Sequence, residues 1–263
     1  MRLKALRILL VNNKGCFDPG IITLAKVLSR HHRVVVVGPL RDQGGKGHRL
    51  TTNSHPLRAK QYFVLNKVKI FGVNGTPCDC VLLALDKLLK SKPDLIITGI
   101  DPKHNRGELI YHSSVVSAAI EGTIQGIKSI ALSAEVLDPK SERAFLPVAR
   151  AFARKLPYFF NNIPKDHTIN VNFPQKFNLR RIKATHLTNS IVNNHYIEEV
   201  NPFGATFYWL HCPIGEGGYP LHVLDQQGDI YWLKKGFITV TPLKLDLTDD
   251  ELYEQLSETL NEG

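Results

Sequence analysis

Three polar stretches carry the residue types that could do chemistry. Asn12-Asn13-Lys14-Gly15 follows the apolar run at 6–11, and DPKHNRG at 101–107 follows PDLIITGI at 93–100. Between them lies the glycine-rich stretch DQGGKGH at 42–48. Amides, an ammonium and glycine backbone N–H groups are equipment for holding an anion. Glycine-rich loops can cradle a phosphate, although flexible turns share their composition and asparagines are also ordinary turn residues. Position singles out Asn12 to Lys14. The apolar run before them reads as a buried strand. Asp18 and Pro19 read as the N-cap and first-turn proline of a helix. In open α/β sheets, ligands bind where such strands end.

Other candidates are weaker on spacing. Cys16, Cys78, Cys80 and Cys212 contain no CxxC pair, which predicts reduced thiols of a cytosolic protein rather than a zinc site. Cys16 has no identifiable acid–base partner, so it reads as a plain thiol and not a nucleophile. His104 and His112 lie in or near the 101–107 stretch but lack the i, i+4 spacing of a helical metal pair. His48 reads as a polar surface residue.

The elements that must position these residues follow from periodicity. Strands are predicted at 33–39, 68–73, 93–100, 129–133 and 168–173. Thr76, Pro77 and Asp79 open a helix as cap, first position and capping-box acid. Its stripe of Val81, Leu82, Ala84, Leu85, Leu88 and Leu89 belongs to the core. Ser113 begins another helix, closing near Gly126, and 141–160 is mostly helical, with Pro147 kinking or restarting it. The alternation predicts an α/β fold, a Rossmann-like, mostly parallel sheet flanked by helices. Extended segments at 182–187, 206–211 and 236–241 predict β-hairpins outside that sheet. The expected organisation is one domain over 1–263: an α/β core at 1–181, a β-rich hairpin or dimerisation region at 182–248, and a C-terminal helix or tail at 249–263.

The chain has 263 residues, 43% hydrophobic, with a formal charge of +9. No apolar run approaches the ~20 residues of a membrane span. The basic start lacks a small-residue cleavage site and runs into a strand, which predicts no signal peptide, no membrane association and a cytoplasmic location. Arg41, Lys46, Arg49, Arg58, Lys60, Lys67 and Lys69 face only Asp42 within 41–69. Such a charge attracts phosphorylated ligands. Without a nucleic-acid motif it reads as a solvated face, not a nucleic-acid site.

Laid out in order, the motifs resemble the SurE family of metal-dependent 5′/3′-nucleotidases. NNKG at 12–15 and PGI at 19–21 stand where that family has N-D-D-G and P-G-I. GTPCDC at 75–80, PDLIITGID at 93–101, SSVVSAAIEG at 113–122 and GFITVTPLKLDLT at 236–248 match further family motifs in collinear order. The resemblance implies the SurE-like fold and a homodimer with the tail between subunits. It also implies one divalent metal held at four positions, which fall here at Asn13, Lys14, Gly44 and Asp101. Mg²⁺ and Mn²⁺ want hard oxygen ligands, usually including carboxylates. An ammonium at position 14 would repel the ion. The expectation is therefore no metal cofactor, with Mg²⁺ or Mn²⁺ as the alternative. Asn12, Lys14, Asn105 and Ser113 remain as phosphate contacts, and no catalytic residue is identified. The resulting reading is a nucleotide- or phosphate-binding pseudoenzyme. The alternatives are a working nucleotidase with altered metal chemistry and a non-catalytic interaction protein. One geometric expectation is sharp: Lys14 should pair with Asp101, within about 4 Å.

Overall fold

Strand β1 (Arg7–Val11) is central because its side chains suit nothing else. Ile8, Leu9, Leu10 and Val11 are all buried, as a strand covered on both faces requires. The computed structural model describes residues 4–63, 68–189, 195–211 and 225–261. After β1 come α1 (Pro19–Leu28), β2 (Arg33–Pro39), β3 (Ala59–Phe63), β4 (Lys69–Val73) and α2 (Pro77–Leu83). A π-helical turn at Ala84–Leu88 follows α2. Then come β5 (Leu95–Asp101), a 3₁₀ turn at Gly107–His112, α3 (Ser114–Ile124), β6 (Ser129–Ala134), α4 (Glu142–Asn162) and β7 (His167–Phe173). The last part holds β8 (Ile182–Ala184), β9 (His195–Val200), β10 (Thr206–His211), α5 (Asp229–Lys234), β11 (Ile238–Lys244) and α6 (Asp250–Asn261).

One nine-stranded sheet runs in the order β3-β4-β2-β1-β5-β6-β7-β11-β8. The six strands from β4 to β7 are parallel to their neighbours, while β3 and β11 run antiparallel to β4 and β7. Helices α1 and α4 pack on one face, with Phe145, Phe152 and Phe159 fully buried there. Helices α2 and α3 contact each other, and the α2 side chains join a second core cluster with Leu9, Val11 and Ile96. The expected parallel sheet is present.

Three expectations change. Strands β11 and β8 extend the main sheet, so of 182–241 only the β9–β10 hairpin lies outside it among the described residues. Pro147 does not restart α4, which runs unbroken through Pro147 and Pro157. Helix α2 opens with the expected capping box between Thr76 and Asp79, a cap of about 1 kcal/mol, but closes in the π turn.

Candidate functional site

Chain order reverses at β1. The chain passes from β1 to β2 on one side, and β5 pairs on the other with Val11 beside Thr98. The carboxyl ends of β1 and β5 therefore flank a topological switch point, the place where open α/β sheets take their ligands. Gly99 makes the end of β5 possible. It sits at φ +124°, and a Cβ there would lie 2.1 Å from the Leu132 carbonyl oxygen.

The loop after β1 is built by Asn12. Its Nδ2 donates to the Gly15 carbonyl at 2.8 Å and its Oδ1 accepts the Gly15 N–H at 3.3 Å. Asn12, expected as a phosphate contact, uses its amide nitrogen and its amide oxygen within its own turn. Asn13 Nδ2 donates to Asp101 Oδ2 at 3.2 Å. Its Oδ1 is buried with no hydrogen-bond partner among the described residues.

Lys14 does not pair with Asp101. Its Nζ lies 2.9 Å from Asp42 Oδ2, at the head of the glycine-rich loop, and Asp42 Oδ1 accepts the Gly44 N–H at 2.7 Å. Depth explains the choice. Asp101 is 6% exposed, and an ammonium following it inward would lose its water. Neutral donors serve Asp101 instead: Asn13 Nδ2, Asn105 Nδ2 at 3.5 Å and the Lys103 N–H at 3.3 Å. Burial raises the Asp101 carboxyl above its usual range, and those donors together with nearby Lys14 pull it part of the way back. Burial would raise Asp42 too, but the Gly44 N–H and Lys14 leave it below the ordinary value. Asp18, the N-cap of α1, is pushed up to about 6 by burial, against the Gly20 and Ile21 N–H groups.

Gly44 shows how closely these positions converge. A Cβ built there would lie 3.2 Å from Lys14 Nζ and 3.8 Å from Asn13 Nδ2. Positions 13, 14 and 44 thus meet at one point, and Asn13 joins them to Asp101. The oxygen donors are two carboxylates, Asp101 and the Lys14-paired Asp42, whose Oδ1 would lie 3.1 Å from that Cβ, and one amide oxygen, Asn13 Oδ1, with an ammonium beside them.

The surroundings hold residues that sequence reasoning missed. Ser114, fully buried, donates to the Gln43 carbonyl at 2.7 Å and accepts the Lys46 N–H at 3.0 Å. The Gln43 N–H donates to the Asn13 carbonyl at 2.7 Å. The glycine-rich loop is thereby tied both to α3 and to the loop after β1. Asn105 is held through its backbone: its carbonyl accepts Asn170 Nδ2 at 2.7 Å and Asn172 Nδ2 at 2.9 Å. Asn172 in turn hydrogen-bonds Ser133. The alternation N-V-N in β7 was the available signal, since residues two apart share a face. Asp229, fully buried, accepts the N–H groups of Gly107, Thr188 and Ile230 and the Thr188 hydroxyl. It fastens the 101–107 loop to the tail.

Ser113 caps α3, accepting the Val116 N–H at 3.1 Å. His48 is exposed, as expected of a surface residue, and its Nε2 meets buried Glu121 at 2.8 Å. His104 donates from Nε2 to the Phe173 carbonyl at 2.8 Å, and burial lowers its pKa. His112 is exposed. Among the described residues no group of three or more His, Cys, Asp or Glu is arranged to hold a metal ion. Cys16 is buried and its thiol pKa is raised by that burial, the opposite of activation. Cys212 lies outside the described residues.

A mostly parallel sheet with polar loops gathered at its switch point, Lys14 and several amides among them, defines a Rossmann-like protein. The family can be stated more narrowly. The family described as Survival protein SurE matches residues 8–195, and the chain belongs to it. It is 35% identical over 254 residues to the 5′-nucleotidase SurE of Thermoanaerobacter sp., covering 96% of this chain and 97% of that one. It is 34% identical to the 5′-nucleotidase SurE of Fervidobacterium nodosum, covering 98% of both. The crystal structure of the SurE protein from Aquifex aeolicus superposes with a TM-score of 0.76 at 33% identity, covering 96% of this chain and 99% of that one. Among the described residues, no helix is long and apolar enough to cross a membrane.

Proposed function

We propose that this chain binds nucleoside monophosphates at the β1–β5 edge with altered metal chemistry, Lys14 supplying positive charge where the resemblance places a divalent ion. One observation carries this reading: the Lys14 ammonium lies 3.2 Å from where a side chain at position 44 would begin, beside Asn13. A phosphate dianion entering there meets a cation that it must share with Asp42, and a hard divalent ion meets a like charge. On this reading metal-dependent hydrolysis is weak or absent. A second reading, a working SurE-type 5′-nucleotidase, has its own support. Relatives matched over nearly their full length carry that name, and Asn13 Oδ1 stands unpartnered beside the Asp101 carboxylate as an oxygen pair. Both readings name the same substrate class and the same site.

The test is AMP binding and AMP hydrolysis measured side by side, with Mn²⁺ and with EDTA. Binding in EDTA that Lys14→Ala weakens at least tenfold, without Mn²⁺-dependent turnover, supports the first reading. Mn²⁺-dependent turnover abolished by EDTA supports the second and refutes the first.

A further inference from the structure

A cavity of about 740 Å³ opens at the opposite edge of the sheet, among the amino ends of β1, β2 and β4 and the carboxyl ends of α1 and the π turn. Its size suits a small organic ligand. Its walls are apolar: Ile22, Ala25, Val35, Phe71, Leu88 and Leu89. Val35, Leu88 and Leu89 are only partly covered by the core beneath them. The π turn at Ala84–Leu88 sets Leu88 and Leu89 into this wall, and such turns recur at functional sites.

The rim is cationic, and among the described residues no acidic one lines it. Arg7 and Lys26 are answered from outside, by Asp94 and Glu142, each at 2.6 Å. Arg30, Arg33, Lys69 and Lys90 have no carboxylate within 4.0 Å among the described residues. The sequence deepens the imbalance, since Asp42 is the only acidic residue between 19 and 78. Helix carboxyl ends attract cations by themselves, which accounts for Lys26, Arg30 and Lys90. It does not account for Arg33 and Lys69, which begin strands β2 and β4. Arg33 stands beside Arg7 in the ladder, and Lys69 beside Val35. Two unanswered cations therefore project from neighbouring strands at the mouth of an apolar cavity. His32 also lines the rim, its Nδ1 accepting the Leu6 N–H at 3.2 Å.

We infer that this cavity is a second ligand site, separate from the β1–β5 edge, for a small organic phosphate with an apolar body. The walls take the apolar body, and Arg33 and Lys69, with Arg30 and Lys90, take the phosphate dianion. Nothing in this assignment depends on whether the β1–β5 edge turns over nucleotides.

The experiment is calorimetric titration with octyl phosphate below its micelle concentration. Octyl glucoside serves as the neutral-headed analogue and inorganic phosphate as the tail-less one. Octyl phosphate is expected to bind the unaltered chain and Lys14→Ala alike, and the other two probes at least tenfold more weakly. Arg33→Glu with Lys69→Glu should weaken octyl phosphate binding at least tenfold. If that pair fails to fold by circular dichroism, Arg30→Glu with Lys90→Glu takes its place and should weaken binding at least threefold. No binding to the unaltered chain, equal binding of octyl glucoside, loss of binding in Lys14→Ala, or indifference to the charge reversals would each overturn the inference.

Discussion

At the scale of residues, the charge arrangement around Lys14 decides the chemistry. Replacing Asn13 and Lys14 together by Asp gives the site four carboxylates, with Asp42 and Asp101, and removes its ammonium. Mn²⁺ added to this variant is expected to raise its melting temperature, because an ion that binds only the folded state stabilises it. The unaltered chain should respond much less, and equal shifts in a thermal melt would contradict the argument. Asp18 supports a second prediction. Its carboxyl is raised to about 6 from an ordinary value of 3.8, so the folded chain holds this proton more tightly than the unfolded chain. The stabilisation is complete below the unfolded value and is lost as pH rises from about 4 to about 6. Asp18→Asn keeps a capping oxygen and should be more stable than the parent at pH 7.5, by roughly 1–2 kcal/mol. The difference should vanish near pH 4, and urea unfolding at the two pH values checks it. The family resemblance implied that Asn13, Lys14, Gly44 and Asp101 share one place, while strand ends by themselves pointed only to the loop at Asn12 to Lys14 and the loop after Asp101. Neither could supply depth. Lys14 prefers half-exposed Asp42 to buried Asp101 for a reason of solvation that no linear pattern records. Ser114 was equally hidden, since a second serine after a capping serine carries no signal of what it will touch.

At the scale of elements, the site is held by the end of β5 and by the glycine-rich loop. Gly99→Ala would place a methyl group 2.1 Å from the Leu132 carbonyl oxygen at a φ of +124°, and it should destabilise the fold by several kcal/mol, about 3 or more. Gly126→Ala is the control, because its φ is +76° but nothing lies within 4 Å; conformational strain alone should cost about 1–2 kcal/mol. Similar losses for the two in urea melts would show that close packing against β6 is not what constrains Gly99. Ser114→Ala removes both ties to the glycine-rich loop and leaves the Lys46 N–H without that partner, at about 1–3 kcal/mol. It should weaken AMP binding more than it lowers the melting temperature. The central strands were legible because burial on both faces leaves a continuous apolar run. Strand β3, AKQYF, is a sheet edge with a polar start and offered no such run. Strand β11 was read as a hairpin arm, since its alternation describes one covered face but does not say which sheet covers it. The π turn escaped because its residues keep a helical apolar stripe while the backbone hydrogen bond lengthens to Leu89 N–H and Ala84 carbonyl.

At the scale of the whole molecule, the β9–β10 hairpin is the one strand pair outside the main sheet among the described residues. Two antiparallel strands alone are marginal in water. Here they are also apolar in the wrong place: Tyr196, Val200, Tyr208 and Trp209 are each more than 60% exposed, and Ile197, Phe207 and Leu210 are exposed as well. The Trp209 indole N–H donates to Glu199 at 3.0 Å. An apolar patch of this extent marks a binding surface, and the collinear family resemblance proposes a second copy of the chain as its cover. Burying those rings against a twin hairpin would supply the hydrophobic face that two strands lack, at about 25 cal/mol for each Å² removed from water. Light scattering should therefore give twice the chain mass at micromolar concentration. Phe207→Ser with Trp209→Ser should shift the profile toward the monomer while the α/β signal in circular dichroism persists, because neither residue belongs to the core clusters. A dimer that survives both substitutions would place the interface elsewhere on the molecule.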